Sequence, residues 1–249
     1  DMLLDSLVDH LPSAWEAGAE MATDANGEPV EIDCTDEAPL AAYIFKTVAD
    51  PFVGKLSYFK VVSGKLSGEF TPVNSRTGAQ ERMGKLVYMT GKKQEDTAFI
   101  TAGDIGAVTK LSGAVTGDTL CDPKRVVSFE RVAFPEACLS MAVKIKQKGD
   151  EGKVAQGMAR LIEEDPTIGF EQNNETKQQL ISGLGEQHID VIVSKLKAKF
   201  GVDIGLDKVR VAYRETIRKT VKVQGKHKKQ SGGHGQYGDV WIEFSPCDD

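Results

Sequence analysis

The residues best suited to chemistry lie near the end of the sequence, where Lys226, Lys228 and Lys229 precede Ser231-Gly232-Gly233-His234-Gly235-Gln236-Tyr237-Gly238. Residues 233–238 spell Gly-x-Gly-x-x-Gly. A dinucleotide site would need an apolar strand before that motif, a helix after it and an acid about twenty residues further on. Here lysines precede it, and Asp239–Ser245 alternates Val240, Ile242 and Phe244 as a strand. The glycines therefore read as an exposed turn, Ser231–Tyr237, whose backbone can approach a partner closely. The lysines behind it suit phosphate contacts, which position a nucleic acid without reading its sequence. A P-loop is absent: Gly-Lys occurs at residues 54, 64, 84, 91, 152 and 225 and is never followed by Ser or Thr. The chain is accordingly expected not to be an enzyme, to hold no cofactor and not to hydrolyse nucleotide by itself.

Other candidate clusters are weaker. Glu186, His188 and Asp190 are two residues apart, and on a helix such neighbours point to different sides. His188 cannot share a metal with both acids, and the acids suit the positive end of a helix. No metal site is expected. Cys34, Cys121, Cys138 and Cys247 lie far apart without a C-x-x-C pair, which fits neither a zinc site nor a disulfide framework. They are expected to be reduced thiols of a cytoplasmic protein. No serine has the Gly-x-Ser-x-Gly setting of an esterase nucleophile.

Charge points to the same region. Between Lys208 and Gln230 there are nine basic residues and one acid, Glu215, so this segment carries +8 on a chain of net charge −6 and leaves −14 elsewhere. A basic stripe on an acidic chain suits a polyanion; from charge alone, a solvated strand face is an equal reading. The 249 residues have 40% hydrophobic and 27% charged content, a globular composition. No apolar run approaches the ~18 residues of a membrane span, and no signal peptide opens the chain, so no membrane partner is expected. The sequence lacks an initial Met and stops at Cys247-Asp248-Asp249; both ends are expected to be cut from a longer protein.

The elements that must position these residues follow from periodicity. Leu3, Leu4, Leu7, Val8 and Leu11 predict a helix stopped by Pro12. Residues 12–38 read as a linker or extended connection. Residues 39–125 alternate in short runs between glycine-rich turns, which predicts strands at 42–47, 55–63, 70–73, 85–89, 97–100, 105–110 and 119–121. Many short strands need closure to hide their edges, so a small β-barrel is expected. Residues 131–206 predict β-α-β-β-α-β, a ferredoxin-like unit, with Leu139, Met141, Val143, Val154, Met158, Leu161, Ile189, Ile192, Val193 and Leu196 in its core. Val209–Lys229 reads as strand, forming with Asp239–Ser245 a long basic hairpin. The fold class is thus multidomain, β followed by α+β, ending in a partial hairpin unit.

These segments, in this order, resemble elongation factor G, the bacterial ribosomal translocation GTPase. Asp50-Pro51-Phe52-Val53-Gly54-Lys55-Leu56, Ala102-Gly103-Asp104-Ile105 and Thr116-Gly117-Asp118-Thr119-Leu120 resemble the family's second domain, a translation-factor β-barrel. Glu163-Glu164-Asp165-Pro166-Thr167 and Gly183-Leu184-Gly185-Glu186-Gln187-His188-Ile189-Asp190 resemble its third. Tyr213-Arg214-Glu215-Thr216-Ile217 and Gln230–Gly238 resemble the opening of its fourth. The resemblance implies the end of a GTPase domain and a linker at 1–30, domain II at 31–130, domain III at 131–205 and the start of domain IV at 206–249. It implies GTP with Mg2+ only in a GTPase domain outside this sequence. It further implies as partners the ribosome, through ribosomal RNA and a small-subunit ribosomal protein, and tRNA–mRNA, reached by Gly232–Tyr237 with Gln236 as a contact. His234 stands where the family usually has Arg, Asp239 where it has His and Gln187 where it has Leu. Ribosome-recycling and tetracycline-type ribosomal-protection paralogues share the domain order. From the residues alone, an unrelated RNA-binding module and a nucleotide-dependent enzyme stay open as well.

Overall fold

The opening leucines form helix α1 (Met2–His10), whose N-terminal Asp1 carboxylate accepts the Leu3 amide at 3.4 Å. All its side chains are solvent-exposed. The computed structural model describes residues 1–50, 54–91, 93–230 and 232–247. Pro51, Phe52 and Val53 of the Asp50–Leu56 motif, Lys92, Ser231 of the expected tip, and Asp248 and Asp249 lie outside the described residues. The chain comprises two units, Asp1–Val209 and Arg210–Asp249.

Residues 12–38, expected as a linker or extended connection, carry regular structure. They contain β1 (Glu20–Asp24) and β2 (Pro29–Ile32), a hairpin around Asn26-Gly27. The Asp24 carboxylate accepts the amides of Asn26 and Glu28 at 2.8 and 2.9 Å, which closes that turn. Polar composition hid the strands, because only Ala22 and Ile32 need to face inward.

The β-rich part continues with β3 (Ala41–Asp50), β4 (Gly54–Ser63), β5 (Leu66–Ser67), β6 (Val73–Asn74), β7 (Leu86–Thr90), β8 (Lys93–Asp96), β9 (Phe99–Ile100), β10 (Ile105–Thr109), β11 (Thr119–Cys121) and β12 (Val127–Ser128). Seven strands pair in the order β6-β11-β3-β4-β10-β7-β8. β1 bridges β12 and β2 in a three-stranded sheet, and β5 pairs with β9. Ile44, Phe59, Leu66, Leu86, Ile100 and Leu120 come from these different ladders yet share one core, so the sheet curls around it. A register shift between Ile44 and Lys46 places Phe45 as an extra residue opposite β4, and such bulges bend a strand. The expected strand at 70–73 is reduced to the short β6, and β8 was not expected because its sequence, Lys93–Asp96, is entirely polar.

The motif residues of this part serve as joints. Asp118 has no exposed side-chain surface. It accepts Arg76 Nε at 2.7 Å and Nη2 at 2.9 Å, Asn74 Nδ2 at 2.7 Å and the Val115 amide at 3.0 Å. Burial pushes its carboxyl up, but the Arg76 and Asn74 hydrogen bonds outweigh that and hold it below the ordinary value. Asp104 accepts the Tyr88 hydroxyl at 2.9 Å, fixing β7 against the turn before β10.

The second half of this unit has β13 (Leu139–Ile145), α2 (Glu151–Glu164), β14 (Gly169–Gln172), β15 (Gln179–Gly183), α3 (Glu186–Phe200) and β16 (Ile204–Asp207). Its antiparallel sheet runs β14-β15-β13-β16, so the first strand lies between the third and fourth. That is the ferredoxin-like order. Val154, Met158, Leu161, Ile189, Ile192 and Leu196 are buried between helices and sheet. Leu139, Met141 and Val143 touch the core but stay half-buried, contrary to expectation, because two helices roof only part of four strands, and Val193 on α3 is half-buried as well. Gly201 ends α3 at φ 68°, a left-handed conformation that glycine adopts without steric cost.

The remaining unit holds β17 (Val221–Gln230) and β18 (Gly235–Phe244), paired along their full lengths. The expected strand from Val209 begins only at Val221. Residues 209–220 alternate but have no ladder partner among the described residues, and backbone pairing rather than alternation makes a strand.

Candidate nucleic-acid interface

The hairpin is built by strict antiparallel register, from Val221 opposite Phe244 to Gln230 opposite Gly235. Residues directly opposite each other share a face. One face is apolar at its base, with Val221, Val223, Val240, Ile242 and Phe244, and carries His227, Lys229 and Gln236 toward the turn. The other carries Lys222, Gln224, Lys226 and Lys228 opposite Glu243, Trp241, Asp239 and Tyr237.

Register therefore splits the expected site. Lys226, Lys228 and Tyr237 stand together on one face, whereas Lys229 and Gln236 stand on the other. The expected turn Ser231–Tyr237 is shorter than read: Gly235, Gln236 and Tyr237 already belong to β18. Gly232, Gly233 and His234 are the described turn residues, and all three are exposed. Gly232 sits at φ 82°, the conformation for which its glycine is needed. A side chain added at Gly232 or Gly233 would meet nothing within 4 Å, so the backbone there is open to a partner.

Electrostatics on the hairpin are uneven. Lys226 Nζ lies 3.9 Å from Asp239 and 5.9 Å from the Tyr237 ring centroid. Asp239 also accepts Gln224 Nε2 at 2.8 Å and the Tyr237 hydroxyl at 3.3 Å. Among the described residues, Lys228 and Lys229 have no acidic partner within 4.0 Å. Gln236 Oε1 lies 3.4 Å from His227 Nε2. The arrangement offers cations to phosphate and, among the described residues, no nucleophile with an adjacent base.

In the alternative cluster of Glu186, His188 and Asp190, His188 fastens the start of α3 to neighbouring segments. His188 Nδ1 accepts the Leu184 amide at 3.0 Å, so Nε2 carries the proton and donates it to Asp165 at 3.1 Å. No group of three potential metal ligands occurs among the described residues. The four cysteines are free thiols, and no helix of the described residues is long and apolar enough to cross a membrane. Sequence reading singled out Val240, Ile242 and Phe244 on β18 and passed over Trp241; its only signal was an aromatic in the polar phase of an alternating strand.

Comparison with known proteins sets these parts in one frame. Residues 39–123 match the family model of elongation factor G domain 2, residues 134–208 that of elongation factor G domain III, and residues 209–249 that of elongation factor G domain IV. The chain belongs to the elongation factor G family. The β-rich part thus corresponds to domain II, the ferredoxin-like part to domain III and the hairpin unit to domain IV sequence of an elongation factor G-like translation factor. A crystal structure of a protein from Thermus thermophilus is similar, at 31% identity and a TM-score of 0.68 over 97% of this chain. The chain spans 34% of that protein's length.

Proposed function

We propose that this chain is the ribosome-engaging portion of an elongation factor G-like GTPase that promotes movement of tRNA with mRNA through the ribosome in the cytoplasm. The observation that carries the reading is the exposed hairpin with an open, glycine-built turn and, behind it, Lys228 and Lys229 without an acidic partner within 4.0 Å among the described residues, within a chain ordered as domains II, III and IV of the family. Lys226, Lys228, Lys229, Ser231, Gly232, Gly233, His234, Gly235, Gln236 and Tyr237 are the proposed RNA-contacting residues. The lysines and backbone amides take phosphates, and Gln236 reaches the tRNA–mRNA. The β-barrel meets ribosomal RNA, and the ferredoxin-like part meets a small-subunit ribosomal protein. GTP and Mg2+ do not fit here, because none of the six Gly-Lys pairs continues to Ser or Thr; the reading places hydrolysis in a GTPase domain outside these residues.

The test is single-round movement of tRNA–mRNA on ribosomes by the full-length protein, with ribosome co-sedimentation as control. Gln236→Ala is expected to slow movement while leaving co-sedimentation intact. Unchanged rates for Gln236→Ala and for the Lys228→Gln, Lys229→Gln double variant would exclude a translocation tip. Activity only in splitting ribosomes, or only in rescuing tetracycline-inhibited ribosomes, would assign the protein to recycling or protection.

A further inference from the structure

The hairpin face bearing Tyr237 and Trp241 has chemistry that a phosphate-only contact does not use. Strand β18 alternates, and its polar phase reads Gly235, Tyr237, Asp239, Trp241, Glu243. Tyr237 is 66% exposed and Trp241 61% exposed. Two aromatic rings kept in water on one face of a ribbon cost hydrophobic free energy unless a partner covers them. They are four residues apart on one strand, roughly 13 Å, with Asp239 between them and lysines on the strand opposite. Lys228 is opposite Tyr237 and Lys226 opposite Asp239. Glu243 opposite Lys222 and Asp239 at 3.9 Å from Lys226 offset part of the charge, so the most cationic end of the face is at Lys228. Asp239 is already engaged by Gln224, Tyr237 and Lys226, which hold the Tyr237 ring in place. Aromatic rings beside a cation are what an unpaired nucleic acid strand uses: every base has a face to stack, and every phosphate a charge to neutralise. A duplex hides its base faces and would use only the lysines.

We infer that this face binds single-stranded RNA, with unpaired bases stacked on Trp241 and Tyr237 and backbone phosphates on Lys226 and Lys228. The inference rests on the RNA-contacting reading above. It moves the contact from the turn onto one face of the hairpin and names unpaired RNA as the ligand.

The sequence contains two tryptophans, Trp15 and Trp241, so Trp15→Phe leaves Trp241 as sole reporter. The 249-residue chain carrying that change is titrated with a single-stranded RNA of about 12 nucleotides and with the corresponding duplex. The single strand is expected to quench Trp241 emission. By anisotropy of labelled RNA, Trp241→Ala should weaken single-strand binding about 5- to 100-fold and leave duplex binding unchanged. Trp241→Phe should retain most of the affinity and serves as the folding control. The Lys226→Gln, Lys228→Gln double variant should weaken both RNAs and flatten the salt dependence. If Trp241→Ala binds the single strand as tightly as the parent while the lysine variant loses it, stacking is overturned and the electrostatic reading stands. If neither RNA binds at low salt, the RNA reading of the hairpin falls too.

Discussion

At Asp118 one carboxylate ties together two segments that lie apart in sequence, residues 74–76 and 115–118. The Arg76 pair and the Asn74 and Val115 bonds leave no room for a neutral replacement with equal bonding. Asp118→Asn removes the charge assistance from these bonds and should destabilise the β-rich part by about 2–3 kcal/mol in urea unfolding. The pH sign follows from the lowered carboxyl. Its contribution is present above the ordinary value of 3.8 and is lost as pH falls through the lower folded value. The parent should lose stability on acidification in that range, and Asp118→Asn should lose less; equal acid slopes would show that this carboxylate does not carry the effect. His234 poses a different question at the same scale. It sits exposed in the turn, and a guanidinium offers phosphate a planar fork of donors that an imidazole lacks. His234→Arg should tighten RNA binding by the chain and steepen the salt slope by about one; binding isotherms at several salt concentrations read both.

Between elements, the end of α2 is fastened to the end of β3. Glu164 Oε2 accepts the Ala49 amide at 3.3 Å and Lys199 Nζ at 2.6 Å, while Oε1 accepts Lys195 Nζ at 2.9 Å. Lys199 also donates to the Ala49 carbonyl at 3.3 Å. One carboxylate and two α3 lysines thus join the β-barrel to the ferredoxin-like part. Burial raises the Glu164 carboxyl, but the bonds from Lys199 and Lys195 more than offset it and the net shift is downward. This joint is therefore strong above the ordinary value of 4.5 and weakens as pH falls through the lower folded value. Glu164→Gln keeps a carbonyl acceptor but loses the charge, and should cost about 1–3 kcal/mol. Hydrogen exchange should quicken at Ala49 while the β13 and β15 amides stay protected. Unchanged exchange at Ala49 would mean the two parts hold together without this contact.

For the molecule as a whole, the features that recommend themselves for RNA contact among the described residues lie on the hairpin, and no P-loop occurs in the sequence. Purified chain should show no GTP turnover above contaminant level, by phosphate release. Turnover abolished by a point substitution within these residues would contradict that. The joints at Asp118, Asp104, Asp165 and Glu164 coincide with the motifs that carry the family resemblance. Within Asp1–Val209 those motifs record how strands and helices are fastened, while the glycine-rich turn lies in the other unit.

Much of this was legible in the residues alone. Helical spacing of Val154, Met158 and Leu161, and of Ile189, Ile192 and Leu196, determined two helices; alternation at Leu139–Ile145 determined a strand, and their order implied the ferredoxin-like sheet. Local periodicity suffices there because burial of one face is what selects each element. The lysines and glycines around residue 232 marked a candidate interface for a comparably local reason, since a positive φ and a side-chain charge are properties of single residues. Pairing is not local. Polar β8 and the strands within 12–38 exist because partners supply their hydrogen bonds, while alternating residues 209–220 form no strand without one. Only register could separate Lys226, Lys228, Tyr237 and Trp241 from Lys229 and Gln236, because shifting a strand by one residue turns every side chain to the opposite face. Which residues can touch one ligand together was therefore decided by the cross-strand hydrogen bonds of the folded hairpin.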